Sequence, residues 1–367
     1  MARSPYEGLP PERFWRTGVA ERRPATVEAL YRKRFEISKS DAIATAGSCF
    51  AQHIARHMRR RGCNVLDVEP PPPGLDEEAA TRFGFGLYSA RYGNIYTARQ
   101  LLQLVLEAFG RRQPAEIVWE RDGRYYDALR PGVEPNGHPR AEDVLEHRAE
   151  HLGKVRELLK ATQLLIFTFG LTEAWQHKES GTVYPTAPGT IAGTFDPDVY
   201  EFINFGFLET LRDFRSARLI LNRINQGMRF LVTVSPVPLT ATATDQHVLA
   251  ATTYSKSVLR AVCGQLYAEC PDLDYFPSYE LIGTPFARGK FFEPNKRSVT
   301  DAGVQRAMDI FFAEHVGLAG TVRERHKLRR QQSPLSGRQA SHQLQRSERQ
   351  KAEDLVCEEA MLDAFGR

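Results

Sequence analysis

The chain has 367 residues, of which 42% are hydrophobic and 26% charged, with a net charge of +4 at pH 7. This composition is ordinary for a soluble protein and supplies ample material for a core. No run of about 18 apolar residues occurs, so the sequence predicts no membrane-spanning helix.

The charge is unevenly distributed along the chain. Residues 323–351 contain nine Lys or Arg against two Glu, and residues 352–367 contain five acidic residues against one Arg. The remaining body is close to neutral, which argues against a surface-wide field for nucleic acid. We therefore expect no nucleic-acid partner.

Cellular location is indicated by the N-terminus and the cysteines. The first 18 residues have no apolar central stretch, as a secretory signal would. The five cysteines are scattered, odd in number and outside metal-ligand spacings. Such usage is typical of reduced thiols, so we expect a cytoplasmic protein.

Strand and helix patterns alternate along the body. The predicted strands are short, continuous apolar runs, typical of strands buried on both faces, at residues 42–45, 164–169, 230–234 and 273–276. Amphipathic helix patterns lie between and after them, at residues 51–61, 98–109, 144–160, 254–268 and 300–314. This order predicts an α/β sandwich with a mainly parallel sheet.

The predicted domain organisation has four parts. Residues 1–39 form an N-terminal extension and residues 40–318 form the α/β domain. Residues 319–352, rich in Gln, Ser and Arg, predict a disordered basic linker. Residues 353–367 regain helical apolar spacing, and such a helix is suited to docking on a protein partner.

Functional residues in parallel sheets collect at the carboxyl ends of strands. The first such end is Gly47-Ser48-Cys49. Ser48 could cap the following helix, or act as a nucleophile beside that helix's N–H groups. Cys49, a thiol at a helix start, is a second candidate nucleophile.

Two further strand ends carry polar residues. After residues 164–169, Gly170, Thr172 and Glu173 could supply backbone donors and a carboxylate, although Glu173 could simply begin a helix. After residues 230–234, Ser235 and the prolines turn the chain, and Asp245 and His247 follow. His247 is the candidate general base, with a structural or surface histidine as the alternative.

Metal and cofactor sites are not expected. His53 and His57 are four residues apart on one predicted helix, but no third ligand accompanies them. The glycines at 189–193 lack the strand–glycine–helix context of a phosphate loop. Lys256 could contact an anion, but a solvated helix lysine is the simpler interpretation.

Long and distinctive blocks occur along the body. They are "GSCFAQHIARHMRRRG", "ARYGNIYTARQLLQL", "LRP", "FTFGLTEAW", "VYPTAPG", "TVSPVPLTAT", "HVLAATTYSKSVLRAV" and "YFPSYEL". Together these blocks resemble the GSCFA family. This family is related to the SGNH hydrolases, so the resemblance implies a flavodoxin-like three-layer sandwich. It also implies that Ser48 is the nucleophile. Oxyanion donors would come from Gly93 and Asn94, or from the stretch with Gly170, Thr172 and Glu173.

One position departs from the SGNH pattern. SGNH hydrolases place Asp and, three residues later, His before the final helix, whereas Asn295 and Ser298 stand there in this chain. A base must then come from elsewhere, and His247 is the leading substitute, with Asp245 or Glu280 as its orienting carboxylate.

The resemblance and the residues together predict a function. We expect a serine-dependent acyl-ester hydrolase or O-acyltransferase that acts on a small ester or an acylated carbohydrate and needs no cofactor. The alternative is an inactive glycan- or acyl-binding scaffold that is recruited through its C-terminal tail.

Overall fold

A computed structural model describes residues 4–24 and 27–318, together with Leu362 and Phe365. The predicted linker and all but those two residues of the predicted C-terminal helix lie outside the described residues. The predictions for the tail therefore stay predictions.

The centre of the domain is a four-stranded parallel sheet in the order β1-β4-β8-β9. Beyond β1, Ile43 also forms a parallel bridge with Val65. With that bridge the chain segments follow the flavodoxin order 2-1-3-4-5. The strands of this sheet are β1 (Ile43–Gly47), β4 (Leu164–Phe169), β8 (Arg229–Val234) and β9 (Leu273–Tyr275).

Helices cover both faces of this sheet. Successive side chains of β4 are therefore buried on opposite faces, each against its own layer of helices. Leu165 and Phe167 belong to the core on one face of the sheet, whereas Leu164 and Ile166 belong to the core on the other face. The predicted three-layer α/β sandwich is confirmed. The helices are α1 (Phe50–Arg60), α2 (Glu77–Arg82), α3 (Ala98–Ala108), α4 (Ala141–Ala161), α5 (Phe207–Ile224), α6 (Val248–Glu269), α7 (Ser278–Gly283) and α8 (Asp301–Glu314).

Five short strands form two small antiparallel sheets outside the central one. The segment 111–140, for which the sequence predicts no strand, contains a hairpin, and Glu173 begins a strand rather than a helix. Both segments are short and partly exposed, so they lack the continuous apolar run of a central strand. The strands are β2 (Val118–Arg121), β3 (Arg124–Asp127), β5 (Glu173–His177), β6 (Val183–Tyr184) and β7 (Tyr200–Asn204), in the orders β2-β3 and β6-β5-β7.

Part of the predicted N-terminal extension packs into the domain. Val27, Tyr31 and Ile37 are buried in the core that contains α8. The Tyr31 hydroxyl donates a hydrogen bond to Asp274 Oδ2 of β9 at 2.7 Å. This segment therefore closes the outer edge of the sandwich.

A buried ion cluster attaches the β2–β3 hairpin to the helices. Arg130, from the "LRP" block, and Arg148 of α4 both bind the Asp127 carboxylate, and Arg148 also binds Glu107 of α3. Burial alone would raise the pKa of Asp127, but Arg148 and Arg130 outweigh it and lower that pKa to about 2. The "LRP" block therefore has a structural role.

Among the described helices, none combines the length and the apolar character that crossing a membrane requires.

Gly47 is the position at which the central sheet least tolerates a side chain. Its φ is +131°, and a Cβ there would lie 2.3 Å from the Thr168 carbonyl oxygen. We expect Gly47→Ala to lower the free energy of unfolding by about 3 kcal/mol or more, measured by urea denaturation. The matched control is Gly86→Ala, where φ is +68° but the space is open. The control should cost only about 1–2 kcal/mol, and equal costs for both variants would contradict this reasoning.

Two buried histidines predict acid sensitivity. His151 and His315 are at most 1% exposed, and burial lowers the pKa of each to about 4. In the unfolded chain the pKa is about 6.5, so the unfolded state binds more protons between these values and stability falls as the pH drops. From pH 7 to 5.5 we expect a loss of about 1 kcal/mol per histidine. A urea midpoint that is unchanged or higher at pH 5.5 would contradict this.

Candidate active site

The strand order itself marks a position for a site. In open parallel sheets, the crevice lies at the carboxyl ends of the two strands where the order reverses, which here are β1 and β4. Ser48 follows β1 and Gly170 follows β4. A Cβ on Gly170 would lie 3.0 Å from Ser48 Cβ, so the two strand ends are in contact.

Ser48 does not cap α1. Its side chain is 2% exposed, and its Oγ forms no hydrogen bond with any described residue. The N-cap position is Cys49, also without a side-chain cap. The helical cap interpretation of Ser48 is therefore wrong. The Ser48 N–H donates to the Thr168 carbonyl at 3.0 Å, so in this geometry it is not available to an oxyanion.

The segment 93–96 joins the two strand ends through its backbone. The Ile95 N–H donates to the Gly47 carbonyl at 2.9 Å, and the Gly170 N–H donates to the Tyr96 carbonyl at 2.9 Å. Gly93, with φ of +68°, lets the chain turn into this segment. Gly93 and Asn94 are consequently held beside Ser48.

The Asn94 side chain has a defined orientation. Gln52 of α1 donates to the Tyr88 hydroxyl at 3.1 Å, and that hydroxyl donates to Asn94 Oδ1 at 2.6 Å. All three side chains are buried. Because Oδ1 accepts from Tyr88, the plane of the Asn94 amide is fixed beside the segment that joins the two strand ends.

Lys256 is buried, so its interpretation as a solvated helix lysine is wrong. It is 2% exposed, and its Nζ donates to the Gly170 carbonyl oxygen at 2.5 Å. The neighbouring Ser255 accepts a hydrogen bond from the Thr172 N–H at 3.0 Å. Gly170 therefore lies between Lys256 and Ser48 in space. The contacts on its two sides place Lys256 Nζ within about 9 Å of Ser48 Cβ.

The remaining strand-end residues surround this centre. The Thr172 hydroxyl donates to Asn204 Oδ1 at 2.7 Å. Ser235 is 1% exposed, and its N–H donates to the Phe169 carbonyl at 2.8 Å. Glu173 accepts a hydrogen bond from the Thr242 hydroxyl at 2.7 Å, and burial raises the pKa of its carboxyl. Glu173 therefore ties the loop after β8 to the end of β4.

Among the described residues, no hydrogen bond joins the predicted base to Ser48 or to its proposed carboxylates. His247 is exposed at the N-cap of α6, and its Nδ1 accepts from the Leu249 N–H at 3.1 Å. Asp245 is exposed. Glu280 binds Arg260 and accepts from the Tyr275 hydroxyl at 2.7 Å. Because Ser48 Oγ has no hydrogen-bond partner among the described residues, His247 does not contact it in this geometry.

Asn295 and Ser298 form a self-contained turn. Asn295 Oδ1 accepts from the N–H groups of Arg297 and Ser298, each at 2.9 Å, and its Nδ2 donates to Ser298 Oγ at 2.9 Å. These hydrogen bonds join the two side chains and the backbone into a structural turn. Neither side chain can replace the imidazole of a histidine as a proton acceptor at neutral pH.

Metal-ligand side chains converge at one place outside this site. Among the described residues, Glu134, His138 and His147 bring their ligand atoms within 4.8 Å of one another. His53 and His57, the pair considered from the sequence, do not form such a group among the described residues. Burial lowers the pKa of His57 to about 4.

The sequence matches the model of the GSCFA family over residues 42–311. The chain belongs to the GSCFA family. A search among curated proteins finds no significant match. The match covers β1 through most of α8, so both layers of helices and all residues around Ser48 lie within the family domain.

The GSCFA blocks converge on one edge of the sheet. The block that names the family supplies Gly47 and Ser48, the block at 90–104 supplies Asn94, and the block at 167–175 supplies Gly170. The block at 247–262 supplies Ser255 and Lys256, which the sequence analysis did not assign to the site. Helical spacing indicates that Lys256 lies on the buried side of α6, because it is three residues before Leu259 and seven before Cys263.

Proposed function

We propose that this GSCFA protein is a serine-dependent acyl-ester hydrolase or O-acyltransferase of the SGNH type, with Ser48 as the nucleophile. The observation that supports this is the Ser48 hydroxyl itself. It has no hydrogen-bond partner among the described residues, and it lies at the strand-order reversal beside the first turn of α1. A small ester or an acylated carbohydrate is the proposed substrate.

In the proposed reaction, Ser48 Oγ attacks the ester carbonyl and loses its proton. The C–O bond of the ester then breaks, the alcohol leaves with a proton, and the acyl group stays on Ser48. Water or an acceptor hydroxyl then attacks the acyl–serine ester. The acyl group passes to the attacking oxygen, and Ser48 Oγ regains a proton. The developing oxyanion would be stabilised by Asn94, by the Gly93 backbone and by the N-terminal end of α1. Because Ser48 is buried, a local opening must precede attack.

We propose Lys256 as the group that accepts the Ser48 proton. Gly170 contacts Ser48, and Lys256 Nζ binds the Gly170 carbonyl. A neutral lysine amine is an established partner of a nucleophilic serine. His247 precedes Lys256 by nine residues on α6, which corresponds to about 13 Å along the helix axis. His247, assisted by Asp245 or Glu280, could act as the base only if the N-terminal end of α6 moved closer to Ser48.

A binding function is the second candidate. It is favoured by the turn at Asn295 and Ser298, which lacks the acid–histidine pair, and by the burial of Ser48. In that case Asn94, Glu173 and Ser235 would line a glycan- or acyl-binding site. The C-terminal tail would recruit a protein partner.

Ser48→Ala tests the nucleophile. We expect the full chain to hydrolyse p-nitrophenyl acetate and to be labelled by a fluorophosphonate probe at Ser48. We expect Ser48→Ala to lose labelling and at least about 1,000-fold in rate. The matched control is Ser257→Ala, an exposed serine on α6, which should retain both. Equal labelling of the two variants would contradict a Ser48 nucleophile, and no labelling of the unmodified chain would favour the binding function.

Lys256→Met tests the proton acceptor, because it keeps the length of the side chain and removes the amine. We expect kcat to fall at least about 100-fold. In the unmodified chain, the rate should rise with pH as the base loses its proton. This rise should be absent from the residual activity of Lys256→Met. His247→Ala should change kcat less than about threefold. Melting temperatures establish that both variants are folded. Loss of activity in His247→Ala, with Lys256→Met active, would restore His247 as the base.

A further inference from the structure

A second site lies between the β2–β3 hairpin and α4, outside the machinery around Ser48. Glu134 and His138 are in the loop that follows β3, and His147 is in the second turn of α4. The ligand atoms of these three side chains lie within 4.8 Å of one another. The two imidazole rings meet edge to face, with centroids 4.6 Å apart and an interplanar angle of 82°.

Backbone hydrogen bonds fix the elements that carry these side chains. The His138 N–H donates to the Tyr125 carbonyl at 2.7 Å, and the Tyr125 N–H donates to the His138 carbonyl at 3.0 Å. The Gly137 N–H donates to the Glu134 carbonyl at 2.8 Å. Arg130, itself held by Asp127, donates to the His147 carbonyl at 3.2 Å. The convergence of the three side chains is therefore imposed by the fold.

The carboxylate also has an orienting partner. The Arg91 guanidinium donates to Glu134 Oε1 at 2.7 Å. This leaves Oε2 as the oxygen that can turn towards the histidines. Metal-binding carboxylates are commonly held in this way by an outer hydrogen bond.

We infer that Glu134, His138 and His147 bind one divalent transition-metal ion of the zinc class. Two imidazoles and one carboxylate suit Zn²⁺ or Co²⁺, whereas Ca²⁺ and Mg²⁺ prefer all-oxygen sites. The exposed His147 gives an ion access from solvent. Bonds of about 2.0–2.2 Å require only a small closing movement of the side chains. The ion would join the hairpin loop to α4 and stabilise the fold.

The test uses the full chain without an affinity tag, treated with EDTA and dialysed, and then titrated with ZnCl2 or CoCl2. We expect one high-affinity equivalent by calorimetry, a higher melting temperature with the ion, and visible absorption of the Co²⁺ form. His147→Ala and Glu134→Gln should each weaken binding at least about tenfold. Glu146→Gln removes an exposed carboxylate from the adjacent position of α4 and should bind like the unmodified chain.

Two results would overturn the inference. One is the absence of binding at micromolar Zn²⁺. The other is unchanged affinity in both His147→Ala and Glu134→Gln, which would place the ion elsewhere in the chain. Because His147 is exposed, His147→Ala should fold normally. Its melting temperature without metal checks this directly. Ester hydrolysis plays no part in the readout, so the result is independent of the proposed function.

Discussion

The close approach of β1 to β4 at Gly47 is the constraint on which the candidate site depends. With φ of +131° and no side chain, Gly47 lies against the backbone of Thr168, and the next N–H, that of Ser48, bonds to the Thr168 carbonyl. Gly170 repeats the requirement on the other strand, since a Cβ there would press on Ser48. Two glycines thus allow a serine to lie directly between two strand ends. A side chain at Gly47 would force them apart, and one at Gly170 would crowd Ser48.

Polar groups from three further elements then converge on this contact. The segment 93–96 bonds to both strand ends, and Tyr88 and Gln52 fix the orientation of Asn94. Lys256 reaches the Gly170 carbonyl from α6. Because these groups are buried, each hydrogen bond acts in a low-dielectric environment, where losing a partner is costly. These hydrogen bonds therefore hold the two strand ends and the segment 93–96 in one geometry.

The sequence alone predicts the central sheet and the edge of the sheet at which the candidate site lies. The run at 164–169 coincides with β4, because a strand buried on both faces is uniformly apolar. The hairpin of β2 and β3 could not be predicted in this way, since its strands are partly exposed and only four residues long. The burial of Lys256 could not be predicted either. A charged side chain is usually exposed, and only the tertiary contact with Gly170 explains why this one is buried.

The turn at Asn295 and Ser298, ahead of α8, supplies no proton acceptor. Asn295 uses its oxygen for two backbone N–H groups and its nitrogen for Ser298, so the two side chains form a structural turn ahead of α8. The proposed Ser48 nucleophile therefore needs a proton acceptor elsewhere, near its hydroxyl. His247 caps α6 at its exposed end, whereas Lys256 lies deeper on the same helix, against the end of β4. One helix thus carries both candidate bases, and its contact with Gly170 favours the lysine.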